Sequence, residues 1–226
     1  MNPMETLALA TAVFLLTHYV ASTLLRSALV RMLGENAYLG LYVLVSLAAL
    51  GWMIWAYVRA PYARLWEGWE FRAWAILLMP VSLVLIACGA LTRNPGAVRQ
   101  ESLLRTHGEP YGILRVTRHP IQLGIALWAA LHVMVRGDAA SLVFFGGFLV
   151  LAVSGTALID ARKNRAIGVD WQRFASVSSN IPFGAILSGR NQFRFEEIGW
   201  KRVLAGLGLY FVLVFLHPYL FGASAL

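Results

Sequence analysis

Six strongly apolar stretches, at about residues 5–25, 38–58, 73–91, 119–135, 141–159 and 203–220, alternate with polar segments that carry nearly all of the charge. Each is long enough to cross a hydrocarbon core of roughly 30 Å as a helix rising 1.5 Å per residue. The pattern predicts an all-α integral membrane helical bundle of about six transmembrane helices, forming a single domain over residues 1–226. The fourth stretch organises the rest. In Arg115 to Asp138, RVTRHPIQLGIALWAALHVMVRGD, a charged turn passes through Arg118-His119-Pro120 into an apolar helix that carries a second histidine, His132. Proline suits the first helical turn, where an N–H would have no partner, and Thr117 stands where a hydroxyl can cap the helix start.

Composition agrees with the pattern. Hydrophobic residues make up 59% and charged residues only 13%, about half the charge fraction of an ordinary soluble domain. The first stretch lacks a basic flank and a small-residue cleavage site, so it is expected to be a membrane span and not a removed signal peptide. One cysteine excludes an internal disulfide, and Cys88, inside an apolar run, is expected to be a small packed residue. A net charge of +8 in a soluble protein would suggest nucleic acid. Here the basic residues lie between spans, where membrane orientation explains them, so the expected partner is the lipid bilayer and no nucleic acid.

The basic residues also sort by loop. The first, third and fifth loops hold Arg26, Arg31, Arg93, Arg99, Arg105, Arg115, Arg118, Arg162, Lys163, Arg165, Arg173, Arg190, Arg194, Lys201 and Arg202, whereas the second and fourth hold only Arg59, Arg64, Arg72 and Arg136. By the positive-inside rule the odd loops are cytoplasmic and both termini lie on the opposite side. The Trp-rich second loop is expected to be an aromatic belt at the membrane boundary. The long fifth loop carries Trp171, Phe174, Phe183, Phe193 and Phe195, too apolar for a free linker, and is expected to lie on the membrane or pack back on the bundle. The cluster Arg115, Arg118, Asp160, Arg162, Lys163 and Arg165 is expected to be mostly a solvated, orientation-setting face. A minority alternative is that its guanidinium groups clamp haem propionates or another anion.

Two histidines, His18 and His132, fall well inside apolar stretches, where an ionisable group is costly unless paired, bound or lining a cavity. A lone buried histidine is ordinarily a neutral, hydrogen-bonded residue. A pair on different helices is what axial ligation of a haem iron in a bundle requires. Zinc or copper would want further donors, which Cys88, Asp138 and Asp160 do not obviously supply. No CxxCH motif is present, so the cofactor expected is a non-covalent haem b with His18 and His132 on its iron. Depth argues against that pair. His18 lies about thirteen residues in from the outer face and His132 about four, a difference of roughly 10 Å or more, so His119 and His217 are alternates. GxSxG, HExxH, GxGxxG and phosphate-loop motifs are absent, which removes hydrolase and nucleotide-driven functions.

Four segments carry a family resemblance: THYVASTLLRSALVRMLGENAYLGLYVLVS at 17–46, GILRVTRHPIQLGIALWAALHVMVRGD at 112–138, SSNIPFGAILSGR at 178–190 and FLHPYLFGAS at 215–224. Together they resemble the NnrU family of bacterial membrane proteins, and more distantly the zeta-carotene isomerases. The isomerase resemblance implies a haem b held at His18 and His132, acting through iron redox state on a polyene; His119, beside the unpaired N–H groups of a membrane helix start, is expected near the cofactor, and Arg115 and Arg118 are the candidate clamps for its propionates. The NnrU resemblance implies a multi-pass protein of the bacterial inner (cytoplasmic) membrane linked to nitric oxide and denitrification metabolism, with nitric oxide or a polyene as ligand. The Arg118-His119-Pro120 signature, with Gly124 following, also resembles isoprenylcysteine carboxyl methyltransferases, which implies S-adenosylmethionine-dependent methyl transfer as an alternative. Gln122 stands where that family has tyrosine, and its partner motif of acids and tyrosines is missing after the fifth stretch. A non-catalytic membrane assembly factor is the remaining alternative.

Overall fold

The computed structural model describes residues 1–223 apart from Ser22 and His107. Each expected apolar stretch is a helix. Pro3–Val20 (α1) is followed by Leu24–Leu33 (α2), Glu35–Arg59 (α3), Arg72–Leu91 (α4), Pro120–Arg136 (α5), Ala139–Ile167 (α6), Val169–Ser176 (α7) and Trp200–Phe221 (α8). Among the described residues five helices are long and apolar enough to cross a membrane, and α5, at 17 residues, is a shorter apolar helix. The chain is a multi-pass helical membrane protein. Two boundaries differ from expectation. The first span ends at Val20, after which α2 forms a separate helix that terminates at Gly34 with φ 78°. The fifth continues past Ile159 to Ile167, because Asp160 and Lys163 find ion-pair partners in Arg118 and Glu101 that let the helix carry charge beyond the apolar run.

Local chemistry sets the helix ends. Asn2 and Glu5 form a reciprocal capping box ahead of Pro3, satisfying two first-turn donors of α1. The α5–α6 connection is only Gly137 and Asp138. Gly137 takes the left-handed conformation at φ 62° that favours glycine, and a Cβ there would lie 2.4 Å from the Trp66 carbonyl oxygen. Asp138 caps α6 by accepting from the Ser141 backbone N–H at 2.9 Å and from its hydroxyl at 2.7 Å. Thr117 does not cap α5: its hydroxyl donates to the Asn180 carbonyl at 3.0 Å, so it pins the entry turn to the fifth loop.

Packing places the helices in the row α3, α1, α6, α5, α4, α8. Small residues at the crossings let backbones approach. A Cβ on Gly124 of α5 would come within 2.7 Å of the Ser82 carbonyl of α4, and one on Gly206 of α8 within 2.5 Å of Val84 Cα. Ser82 donates across the α4–α5 crossing to the Gly124 carbonyl at 2.7 Å. Cys88 is fully buried, as expected of a packed residue. Outward faces are apolar, with Phe211, Phe215 and Tyr219 of α8 exposed where lipid would cover them. Loops meet as the basic-residue pattern requires: Arg162 donates to the Ala21 carbonyl and Lys163 to the third loop at one end, while Trp66 donates to Met134 at the other. Trp69, Trp74 and Tyr62 of the second loop are exposed. In the fifth loop Trp171 and Phe174 pack back on the bundle, whereas Phe183, Phe193 and Phe195 face outward.

Candidate functional site

The membrane histidines share one local arrangement. His18 Nδ1 lies 2.7 Å from the Phe14 carbonyl oxygen and His132 Nδ1 lies 2.8 Å from the Trp128 carbonyl oxygen, each four residues back on its own helix. A carbonyl only accepts, so Nδ1 carries the proton and Nε2 keeps its lone pair. His217 does the same toward the Ala223 carbonyl at 2.6 Å. An imidazole fixed through Nδ1–H with a free Nε2 is the state a metal ligand needs. His107 lies outside the described residues.

Position is a different matter. Phe14 packs on Phe148 with centroids 5.1 Å apart, and Tyr19, next to His18, hydrogen-bonds Ser154 at 2.8 Å. His132 stacks on Phe145 with centroids 4.6 Å apart. The two imidazoles therefore stand level with residues nine apart on α6, roughly 13 Å in depth. Phe14, Phe148 and Trp128 form the line of ring contacts between them. Each imidazole fits iron by its donor chemistry; the pair, as arranged here, does not fit opposite faces of one haem.

A second polar group gathers at the basic end of the bundle. His119 is 2% exposed, and its Nε2 lies 2.8 Å from Asp160 Oδ1 on α6. Arg118 grips the same carboxylate through Nε and a terminal nitrogen, both at 2.9 Å, and reaches the Ser178 hydroxyl and the Ala175 carbonyl. Its backbone N–H donates to Ser179 and its carbonyl accepts from Asn94. Arg115 is 8% exposed; it donates through Nε at 2.7 Å and a terminal nitrogen at 3.1 Å to the two oxygens of Glu197, and to Asn191 at 2.6 Å. Hydrogen bonding from Arg115 holds the Glu197 carboxyl below the usual carboxylate range. Lys163 is 2% exposed, capped by the Pro95 and Ala97 carbonyls and by Glu101.

Arg115, Arg118, Asp160 and Lys163 of the expected solvated face are thus buried or half-buried in ion pairs, since burying a charge inside a bundle is tolerable only when it is paired, while Arg165 is exposed as expected. Arg115 and Arg118 are engaged with carboxylates of the chain itself, so an anionic cofactor would compete for them. His119 pairs with α6 fifteen residues below the level of His132, roughly 22 Å away in depth. Glu197, Asn180 and Asn191 were not singled out by sequence, and Asp160 was named only within the charged face and as an insufficient metal donor. The available signal was charge in a chain with only 11 acidic residues, each expensive to bury. Segments 112–138 and 178–190, far apart in sequence, converge on this cluster.

With the geometry in place, comparison with known proteins is decisive at the level of family: residues 6–225 match the NnrU protein family. The chain belongs to the NnrU family. This NnrU protein is 25% identical over 210 residues to the chloroplastic 15-cis-zeta-carotene isomerase of Arabidopsis thaliana, covering 86% of this chain and 54% of that protein. It is 26% identical over 120 residues to the Zea mays protein of the same name, covering 50% of this chain and 32% of that one. The chain spans about half the length of the Arabidopsis relative. No solved structure matches.

Proposed function

We propose that this NnrU-family protein is a haem b-binding protein of the bacterial inner membrane that acts on a polyene in the manner of its isomerase relatives, with His18 and His132 as its candidate iron ligands. The supporting observation is the preparation of the two imidazoles, each with Nδ1–H bonded to its own helix and Nε2 free in an aromatic, apolar interior. Haem supplies redox-active iron; the protein supplies the imidazole donors, their tautomer and a dry setting. Since the imidazoles differ by roughly 13 Å in depth, a single iron held in this arrangement would take one of them at a time. Nitric oxide is itself an iron ligand, which is how denitrification metabolism enters the proposal.

The cavity beside His119 holds about 150 Å³, below the roughly 300–1,000 Å³ of ordinary small-molecule sites, and so does not favour an adenosylmethionine-dependent methyltransferase. The test is an absorption spectrum of protein produced with ample haem. A Soret band is expected, lost or weakened in His18→Ala and in His132→Ala and unchanged in His107→Ala. A low-spin spectrum reports two strong ligands on iron, whereas a high-spin spectrum reports one. Wild-type protein without a Soret band refutes the proposal.

A further inference from the structure

At the basic end of the bundle a cavity of about 150 Å³ opens between the end of α4 and the start of α5, lined among others by Thr92, Asn94, Gln100, His119 and Gln122. Several polar groups around it are left unused by the fold. Thr92 is 6% exposed and its hydroxyl is buried with no hydrogen-bond partner among the described residues, an arrangement that costs roughly 1–3 kcal/mol if nothing occupies the space. Pro120 opens α5, and the N–H groups of Ile121 and Gln122 that follow it have no carbonyl within the helix to bond, at the end where the helix dipole is positive. Gln100 spends its side-chain oxygen on the Asn94 N–H, which leaves its amide N–H groups as donors. Among the described residues no carboxylate lines the cavity: Asp160 is turned to Arg118 and His119, and Glu101 to Lys163.

The walls therefore hold many donors, and their acceptors are the Gly89 and Ala90 carbonyls at the end of α4, which have no donor within the helix, and one nitrogen of His119. His119 presents Nε2 to Asp160, so Nε2 carries the proton, and in the neutral ring Nδ1 is an acceptor. A ligand matched to this lining offers several acceptor oxygens together with at least one hydroxyl. We infer that the cavity binds a phosphate group with a free P–OH, either inorganic phosphate or the phosphomonoester head of a lipid such as phosphatidate. Its oxygens accept from Thr92, Gln122 and the first turn of α5, and its hydroxyl donates to His119 Nδ1. About 150 Å³ admits such a group with a water or two, at roughly 30 Å³ per water. The site is separate from the membrane histidines, so its failure leaves the haem proposal standing.

The test uses the full chain in phosphatidylcholine nanodiscs, which contain no phosphomonoester. Added inorganic phosphate should raise the thermal unfolding midpoint saturably and at least tenfold more potently than sulfate, which has no hydroxyl to give at neutral pH. In discs containing phosphatidate, native mass spectrometry should retain one phosphatidate per chain if the lipid is the source. A response to phosphate alone assigns a soluble ligand, and retention of phosphatidate alone assigns a headgroup. Thr92→Val should weaken binding at least tenfold while leaving the ligand-free midpoint unchanged or raised, because the hydroxyl it removes has no partner. Thr92→Ser should bind as wild type. No response to phosphate together with no retained phosphatidate overturns the inference, as does equal response to sulfate or undiminished binding by Thr92→Val.

Discussion

Removing the Asp160 carboxylate should be among the most destabilising single changes on the basic end of this bundle. Asp160→Ala takes the partner from two groups at once: the His119 ring, 2% exposed, and the Arg118 guanidinium, whose side chain is 14% exposed. Neither can turn to bulk water without disturbing the α5 entry turn, which is held by Arg118 N–H on Ser179 and Asn94 on the Arg118 carbonyl. Breaking a buried pair by deleting one partner costs about 3–5 kcal/mol, most of it the penalty of stranding the other charge. An exposed pair would cost about 0–1 kcal/mol. The assay is unfolding in mixed micelles titrated with denaturing detergent, followed by a double-mutant cycle. Adding Arg118→Met to Asp160→Ala removes the stranded charge, so the double variant should be less destabilised than the sum of the singles by at least about 1.5 kcal/mol. A loss below about 1 kcal/mol for Asp160→Ala, or strict additivity in the cycle, would show that the pair is effectively solvated and refute the reasoning.

The Arg115–Glu197 pair gives a pH signature. Because the folded state holds the Glu197 carboxyl below its ordinary value, the pair's stabilisation is fully present above the unfolded carboxylate pKa of about 4.3 and is lost as pH falls through the lower folded value. Unfolding measured from pH 6 down to pH 3 should show this acid loss, and Glu197→Gln should abolish that component. Gly124→Ala places a Cβ 2.7 Å from the Ser82 carbonyl oxygen and should destabilise by about 1–3 kcal/mol, whereas Gly146→Ala, with open space around it, should be within about 0.5 kcal/mol of wild type; thermal unfolding of both checks the contrast. Reporter fusions after Leu226, which lies outside the described residues, should report a non-cytoplasmic C-terminus; a cytoplasmic signal would mean one span more or fewer than the loop charges require.

Much of the bundle was legible because its signals are local. Apolar runs of sufficient length and Pro120 at a helix start are read from neighbours in sequence, and the helices follow them closely. The exceptions are equally physical. Thr117 looked like a cap because a hydroxyl stood in the right place, but Asn180, 63 residues on, offered a carbonyl that the helix start did not outcompete. The charges at 115–118 and 160–165 looked solvated because nothing local pairs with them; their partners, such as Glu197 for Arg115, come from 82 residues away.

The sequence by itself determined that this chain lives in a bilayer, where its helices lie, which loops share an end and which histidines fall among apolar residues. These follow from transfer free energies that each residue carries with it, whatever its neighbours in space. Only the tertiary structure decided the row in which the helices stand, the pairing of Arg118 and His119 with one carboxylate, and the depth at which His18 and His132 sit on either side of an aromatic layer. Those depend on the register between helices, which is fixed where small residues such as Gly124 and Gly206 let two backbones close. A contact of that kind belongs to two segments together, and no window on one of them contains it.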